Sequence, residues 1–140
     1  MSVKSLQETV RDLINADAAL SSGGCVAIAE SSMTLEDDLA KAVNTLKGVA
    51  LVVTTPDIRL NGCAENFIPC DATLAVRCVE IPALRKSRGE SALTALEAAE
   101  RVAVLLNGPD YNFVSISETL ENRQGYLVAT ATFNTTLTLS

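Results

Sequence analysis

The side chains with chemical potential in this chain are four cysteines, Cys25, Cys63, Cys70 and Cys78, a scatter of carboxylates, and a basic run at Arg85, Lys86 and Arg88. No histidine is present. Its absence excludes the Ser-His and Cys-His nucleophile pairs, and a catalytic cysteine would need a neighbouring Lys or Arg to lower its pKa. The nearest such pair is Arg77 and Cys78, yet consecutive residues of a strand point to opposite faces. The cysteines form no C-x-x-C pair, so zinc would require an all-Cys or Cys/carboxylate set. Four reduced thiols serving as small apolar fillers is the simpler reading. Asp37-Asp38 and Glu97-Glu100 fall on helix surfaces, where a solvated face explains them. Gly23-Gly24 precedes a strand and not a helix, and no phosphate-cradling glycine spacing occurs, so nucleotide binding is not expected. No residue is assigned to catalysis, to a metal or to a cofactor.

The basic run stands out because the chain is acidic, with a formal net charge of −6. A general field of that sign opposes adhesion to nucleic acid, and sequence-specific recognition is not expected. Arg85, Lys86 and Arg88 form either a solvated loop or a contact with an acidic neighbour or DNA phosphates. On the contact reading, Arg85→Glu combined with Arg88→Glu leaves folding intact and impairs assembly.

The elements around these residues follow from periodicity. A chain of 140 residues, 48% hydrophobic and 20% charged, builds one globular domain with a real core, and its 4% aromatic content implies closely packed small side chains. Val3, Leu6, Val10, Leu13 and Ile14 recur at helical spacing, with Gln7 on the polar side, and this helix ends near Asp17 to Leu20. Cys25 to Ala29 reads as a short buried strand. Thr34 and Asp37 resemble a capping box ahead of Leu35, Leu39, Val43 and Leu46, and Lys47-Gly48 ends that helix. Val49 to Thr55 is a β-branched strand closed by Pro56-Asp57, and Ile58 to Pro69 is an irregular excursion or loose hairpin tip. From Cys70 to Cys78 alternation places both cysteines on a core face. After the Arg85 to Glu90 loop, the strongest helix turns Leu93, Leu96, Ala99, Ala103, Leu105 and Leu106 inward and stops at Asn107-Gly108-Pro109.

The last third is a hairpin, Asn112 to Leu120 and Tyr126 to Leu139. Its final strand alternates an apolar face with a hydroxylated one. Thr130, Thr132 and Thr136 on the wet face suit strand propensity and also leave a surface fit for another subunit. The expected fold is α+β: a mostly antiparallel sheet of about four to five strands, two to three flanking helices, and a closing C-terminal β-hairpin. No stretch is long and apolar enough for a membrane span, and Met1-Ser2-Val3-Lys4 opens no signal-peptide core, so the protein is expected in the cytosol when made.

The segment LAVRCVEIPALRKSRGESALTALEAAERVAVLLNG, from Leu74 to Gly108, followed by the hairpin to Leu139, resembles the tail terminator and tail-completion proteins of tailed bacteriophages. The likeness lies in a strand ending in Val79-Glu80-Ile81-Pro82, a loop, an Ala/Leu-rich helix and a closing hairpin, and the N-terminal helix fits it too. The segment from Ser32 to Asn66 is longer than in the smallest members. The resemblance implies a virion protein with no enzymatic role. It would form a homo-oligomeric ring, commonly a hexamer, on the head-proximal end of the tail tube, stop tube growth and dock the head connector or neck protein. DNA would pass through its lumen. It carries no catalytic residue across. The named interface candidates are Arg85, Lys86, Arg88, Thr130, Thr132 and Thr136.

Other classes remain open from the residues alone. A neck or head-completion subunit is the nearest variant. A small-molecule-binding domain or an enzyme using carboxylates, Lys41 or the thiols is suggested by Glu80 at the end of a core strand. An adaptor binding a peptide along a sheet edge is a third.

Overall fold

A computed structural model describes residues 2–46, 48–89, 92–121 and 125–140. Ser2 caps the first helix, α1 (Val3–Asn15), by accepting from the Ser5 N–H at 3.0 Å. Asp17 then caps a separate short helix, α2 (Ala18–Ser22), so the expected single helix is two. Gly24, at φ +81°, turns the chain into strand β1 (Cys25–Ala29). The Gly24 carbonyl accepts from the Val49 N–H, and a Cβ on Gly48 would strike that carbonyl, so glycine at 48 lets the two backbones lie side by side.

The second predicted helix departs from its pattern. Helix α3 (Leu35–Ala40) passes into a π-helical turn at Lys41–Thr45. Thr34 makes no capping bond to the backbone; its hydroxyl donates to Asp38 instead. The wider π turn shifts the angular phase of its side chains, so Val43 is buried beside Ala42 while Leu46 is left exposed.

Strands β2 (Val49–Val53), β3 (Asp57–Leu60) and β4 (Ile68–Glu80) come next, then a 3₁₀ turn at Pro82–Ser87, helix α4 (Ala95–Leu106), and the hairpin β5 (Asn112–Glu121) and β6 (Tyr126–Leu139). The order across the sheet is β1-β2-β4-β6-β5, and β3 shares with β2 the same side of β4. Only β1 and β2 run parallel; the other described pairs are antiparallel. The fold is therefore α+β and mostly antiparallel, with six strands rather than four or five. The added strand is β3, which pairs with β4 where an irregular excursion or a loose hairpin tip was expected.

The spine is the β4–β6 pair, in register from Ile68 opposite Leu139 to Glu80 opposite Leu127. One face carries α1, α2 and α4 over a core of Leu6, Val10, Leu51, Leu74, Cys78, Ala99 and Phe133. Near β1 and β2 the other face is covered by α3 and the π turn, around Ile28, Val43, Ala50 and Val128. In α4 the inward side chains are Ala95, Ala98, Ala99, Val102, Ala103 and Leu106, whereas Leu96 is 38% exposed. The capping box between Thr94 and Glu97 sets where the helix starts, and small residues let it lie close to the sheet. Gln7, expected outside, is buried because its Nε2 donates to the Val53 carbonyl. Among the described residues no helix is long and apolar enough to cross a membrane.

Candidate functional site

Glu80 closes the core face of β4, following Leu74, Val76 and Cys78 on that face, and is fully buried. A lone carboxylate there would be costly, and it is fully satisfied instead. Arg85 donates through Nη2 at 2.6 Å and Nε at 3.3 Å, and Arg88 donates through its own Nη2. The Ala95 N–H, at the first turn of α4, adds a bond at 3.0 Å, where the helix dipole also favours an anion. Arg88 reaches on to the Leu93 carbonyl at 3.0 Å. One carboxylate thus ties the end of a strand, the 3₁₀ turn and the start of a helix together. Burial pushes the Glu80 pKa up, but the Arg85 hydrogen bond, the Ala95 N–H and the two guanidinium charges outweigh it and hold the carboxyl below its ordinary value.

This places the basic run differently from a free charged loop. Arg88 is 9% exposed and Arg85 43%, both bound to Glu80, while Lys86 is exposed. A smaller tie of the same kind joins α2 to α4: Arg101 meets Asp17 with two bonds, at 2.7 and 3.0 Å, and holds that carboxyl below its usual range.

The threonines lie on the opposite face. Thr130 pairs across from Arg77 and Thr132 from Ala75, both half-buried, and Thr136 is exposed opposite Asp71. Ser115 and Ser117 of β5 continue this hydroxylated face. Thr136 also borders a polar cleft of about 520 Å³ with Arg59, Asp71, Thr73 and Asn134. The basic run and the threonines are therefore two surfaces, separated by the sheet.

Two of the thiols are held in the protonated form by burial. Burial pushes Cys25 up to about 12 and drives Cys78 in the same direction, with each buried in the core. Cys70 is buried as well and donates weakly to the Ile68 carbonyl, whereas Cys63 is exposed. Among the described residues no three Cys, Asp or Glu side chains gather as a metal site would require.

The two sheet edges differ in a way periodicity could not reveal. At β1 the side-chain amide of Asn15 closes the edge: its Oδ1 accepts from the Ala27 N–H at 2.9 Å and its Nδ2 donates to the Ala27 carbonyl at 3.2 Å. At the other edge no residue of β5 is buried, and Phe113, Val114 and Leu120 are 41%, 52% and 57% exposed. Asn15 left no trace in the sequence pattern. Glu80 did: it shares the parity of the core positions of β4, and a carboxylate on a core face calls for partners. Comparison with protein-family models and with curated proteins finds no match in either.

Proposed function

We propose that this chain is a structural subunit of a tailed-phage virion: a tail terminator that closes into a ring, commonly of six copies, at the head-proximal end of the tail tube, stops tube growth and docks the head connector. The reading rests on the resemblance between Leu74 and Leu139, and the observation that carries it structurally is β5. An edge strand with three exposed large apolar side chains and no buried residue is a liability for an isolated molecule. Contact with further copies removes it. A ring of identical subunits needs two different surfaces that meet head to tail. The closed β1 edge and the open β5 edge supply two such surfaces at opposite ends of one sheet. The net charge of −6 suits a lumen through which DNA moves without adhering.

Glu80, the strongest candidate for an active carboxylate, is engaged by two arginines and a backbone N–H, which favours a structural part for it. The test is to add purified protein to polymerising tail tubes and image them. Capped tubes of fixed length with a ring at one end are expected; unrestricted growth with no bound density would contradict the proposal.

A further inference from the structure

The chain contains two Asn-Gly pairs, Asn61-Gly62 and Asn107-Gly108, and the fold treats them differently. In such a pair the glycine nitrogen can attack the side-chain carbonyl carbon of the asparagine, because no β-carbon on the following residue blocks the approach. The attack needs that nitrogen unengaged and the side chain able to turn toward it.

Asn107 meets neither condition. Its Oδ1 accepts from the Phe113 N–H at 3.2 Å, and the Gly108 N–H donates to the Tyr111 carbonyl at 2.9 Å. Asn61 lies just after β3, where the chain turns back toward β4, and both it and Gly62 are exposed. Gly62 has φ +120°, a conformation that L side chains rarely adopt. The Asn61 N–H donates to the Pro69 carbonyl at 2.8 Å and anchors the main chain there. Among the described residues the Gly62 N–H has no hydrogen-bond partner. The Asn61 Nδ2 donates to Asp71 Oδ1 at 2.8 Å, but both side chains are exposed, and such a bond gains little over the same groups' bonds to water.

We infer that Asn61 is a site of spontaneous, water-consuming modification in the folded chain, whereas Asn107 is protected. The Gly62 nitrogen bonds to Cγ of Asn61 as the Cγ–Nδ2 bond breaks. The Gly62 amide proton passes through solvent to Nδ2, which leaves as ammonia. Water then opens the five-membered imide at either carbonyl: at the side-chain carbonyl it yields aspartate, at the main-chain carbonyl isoaspartate, with the backbone rerouted through Cβ. Either product replaces a donor facing Asp71 by a second carboxylate, and like charges at hydrogen-bond distance repel. The tip joining β3 to β4 therefore loosens as the chain ages. This chemistry rests on the single chain and not on the proposed ring.

The experiment incubates the full chain, native and in denaturant, at neutral and mildly alkaline pH, and maps its peptides by mass spectrometry. In the native chain the peptide carrying Asn61 is expected to gain the mass difference between an amide and an acid, faster at the higher pH, while the Asn107 peptide stays unchanged. In denaturant both should convert, and Asn61→Gln should abolish the change at that position. Native conversion of Asn107 that keeps pace with Asn61 would overturn the inference. So would an Asn61 that stays intact in the native chain while it converts in denaturant. Asn61→Asp imitates the product and should lower Tm, and adding Asp71→Asn should restore it; an Asn61→Asp chain that melts with the parent would overturn the loosening of the tip.

Discussion

Arg88 and Glu80 are joined inside the fold, the guanidinium Nη2 donating to a carboxylate oxygen of a residue that is fully buried. Two of the three cations that make the 85–88 run conspicuous are therefore structural. The run still presents Lys86 to solvent, but its arginines hold β4 to α4.

Substitutions at this cluster should rank by burial. Glu80→Gln leaves a buried guanidinium without its counter-charge and should cost about 3 kcal/mol. Arg88→Ala should approach that value, whereas the half-exposed Arg85→Ala should cost about 1 kcal/mol. The double reversal Arg85→Glu, Arg88→Glu, expected from sequence to leave folding intact, should instead abolish it by gathering three carboxylates at one site. Urea denaturation followed by circular dichroism measures all four; a double variant as stable as the parent would contradict the cluster's role.

Acid should loosen the same tie. Glu80 and Asp17 both titrate below their ordinary values of 4.5 and 3.8 in the folded chain. A depressed folded pKa means the group contributes stability that is complete above the unfolded value and is lost as pH falls through the folded one. Unfolding free energy should therefore decline as pH drops below 4.5, and the decline should be shallower in Glu80→Gln. A parent and variant with identical acid limbs would remove Glu80 from the explanation.

Thiol chemistry offers an independent check on the core. Of the four cysteines only Cys63 is exposed, and burial lifts the Cys25 thiol to about 12. A disulfide reagent at neutral pH should modify one thiol per native chain quickly and all four in denaturant. Rapid reaction of two or more in the native chain would mean that β1 or β4 is not packed as described.

Removing Asn15 should unmask an edge. Asn15→Ala deprives the Ala27 N–H and carbonyl of their partners, at a cost of about 1–2 kcal/mol. It also exposes β1 to pairing with other strands. Lower stability together with concentration-dependent aggregation is expected, measured by melting and light scattering at several concentrations. No change in either would show that the amide is dispensable.

Much of the fold is legible in the sequence because alternation and helical spacing are strong in the elements that form the spine. Cys70 to Cys78, the body of α4 and the closing hairpin follow directly from period. The features that escape depend on side chains that interrupt period. Gln7 is inside because a carbonyl awaits it, Leu46 is outside because a π turn shifts the phase, and Leu96 yields to Ala98 and Val102 because small residues let α4 sit nearer the sheet. The site is half legible: Glu80, Arg85 and Arg88 are each conspicuous by type and position, but only the three-dimensional path of the 3₁₀ turn brings them together. The turn positions Asn122 to Gln124 of the expected hairpin, Glu90 of the expected loop, and Lys47 at the end of the second expected helix lie outside the described residues.

The open edge at β5 is the surface on which the proposed assembly most depends. Multi-angle light scattering on the parent chain and on Phe113→Asp, Leu120→Asp tests this directly, with melting curves to establish that both fold. The parent should have a discrete mass several times the 14.7 kDa of one chain, and the double variant should melt cooperatively as a monomer. A monomeric parent at every concentration, free and on tail tubes, or a folded variant that still forms the full-mass particle, would contradict it.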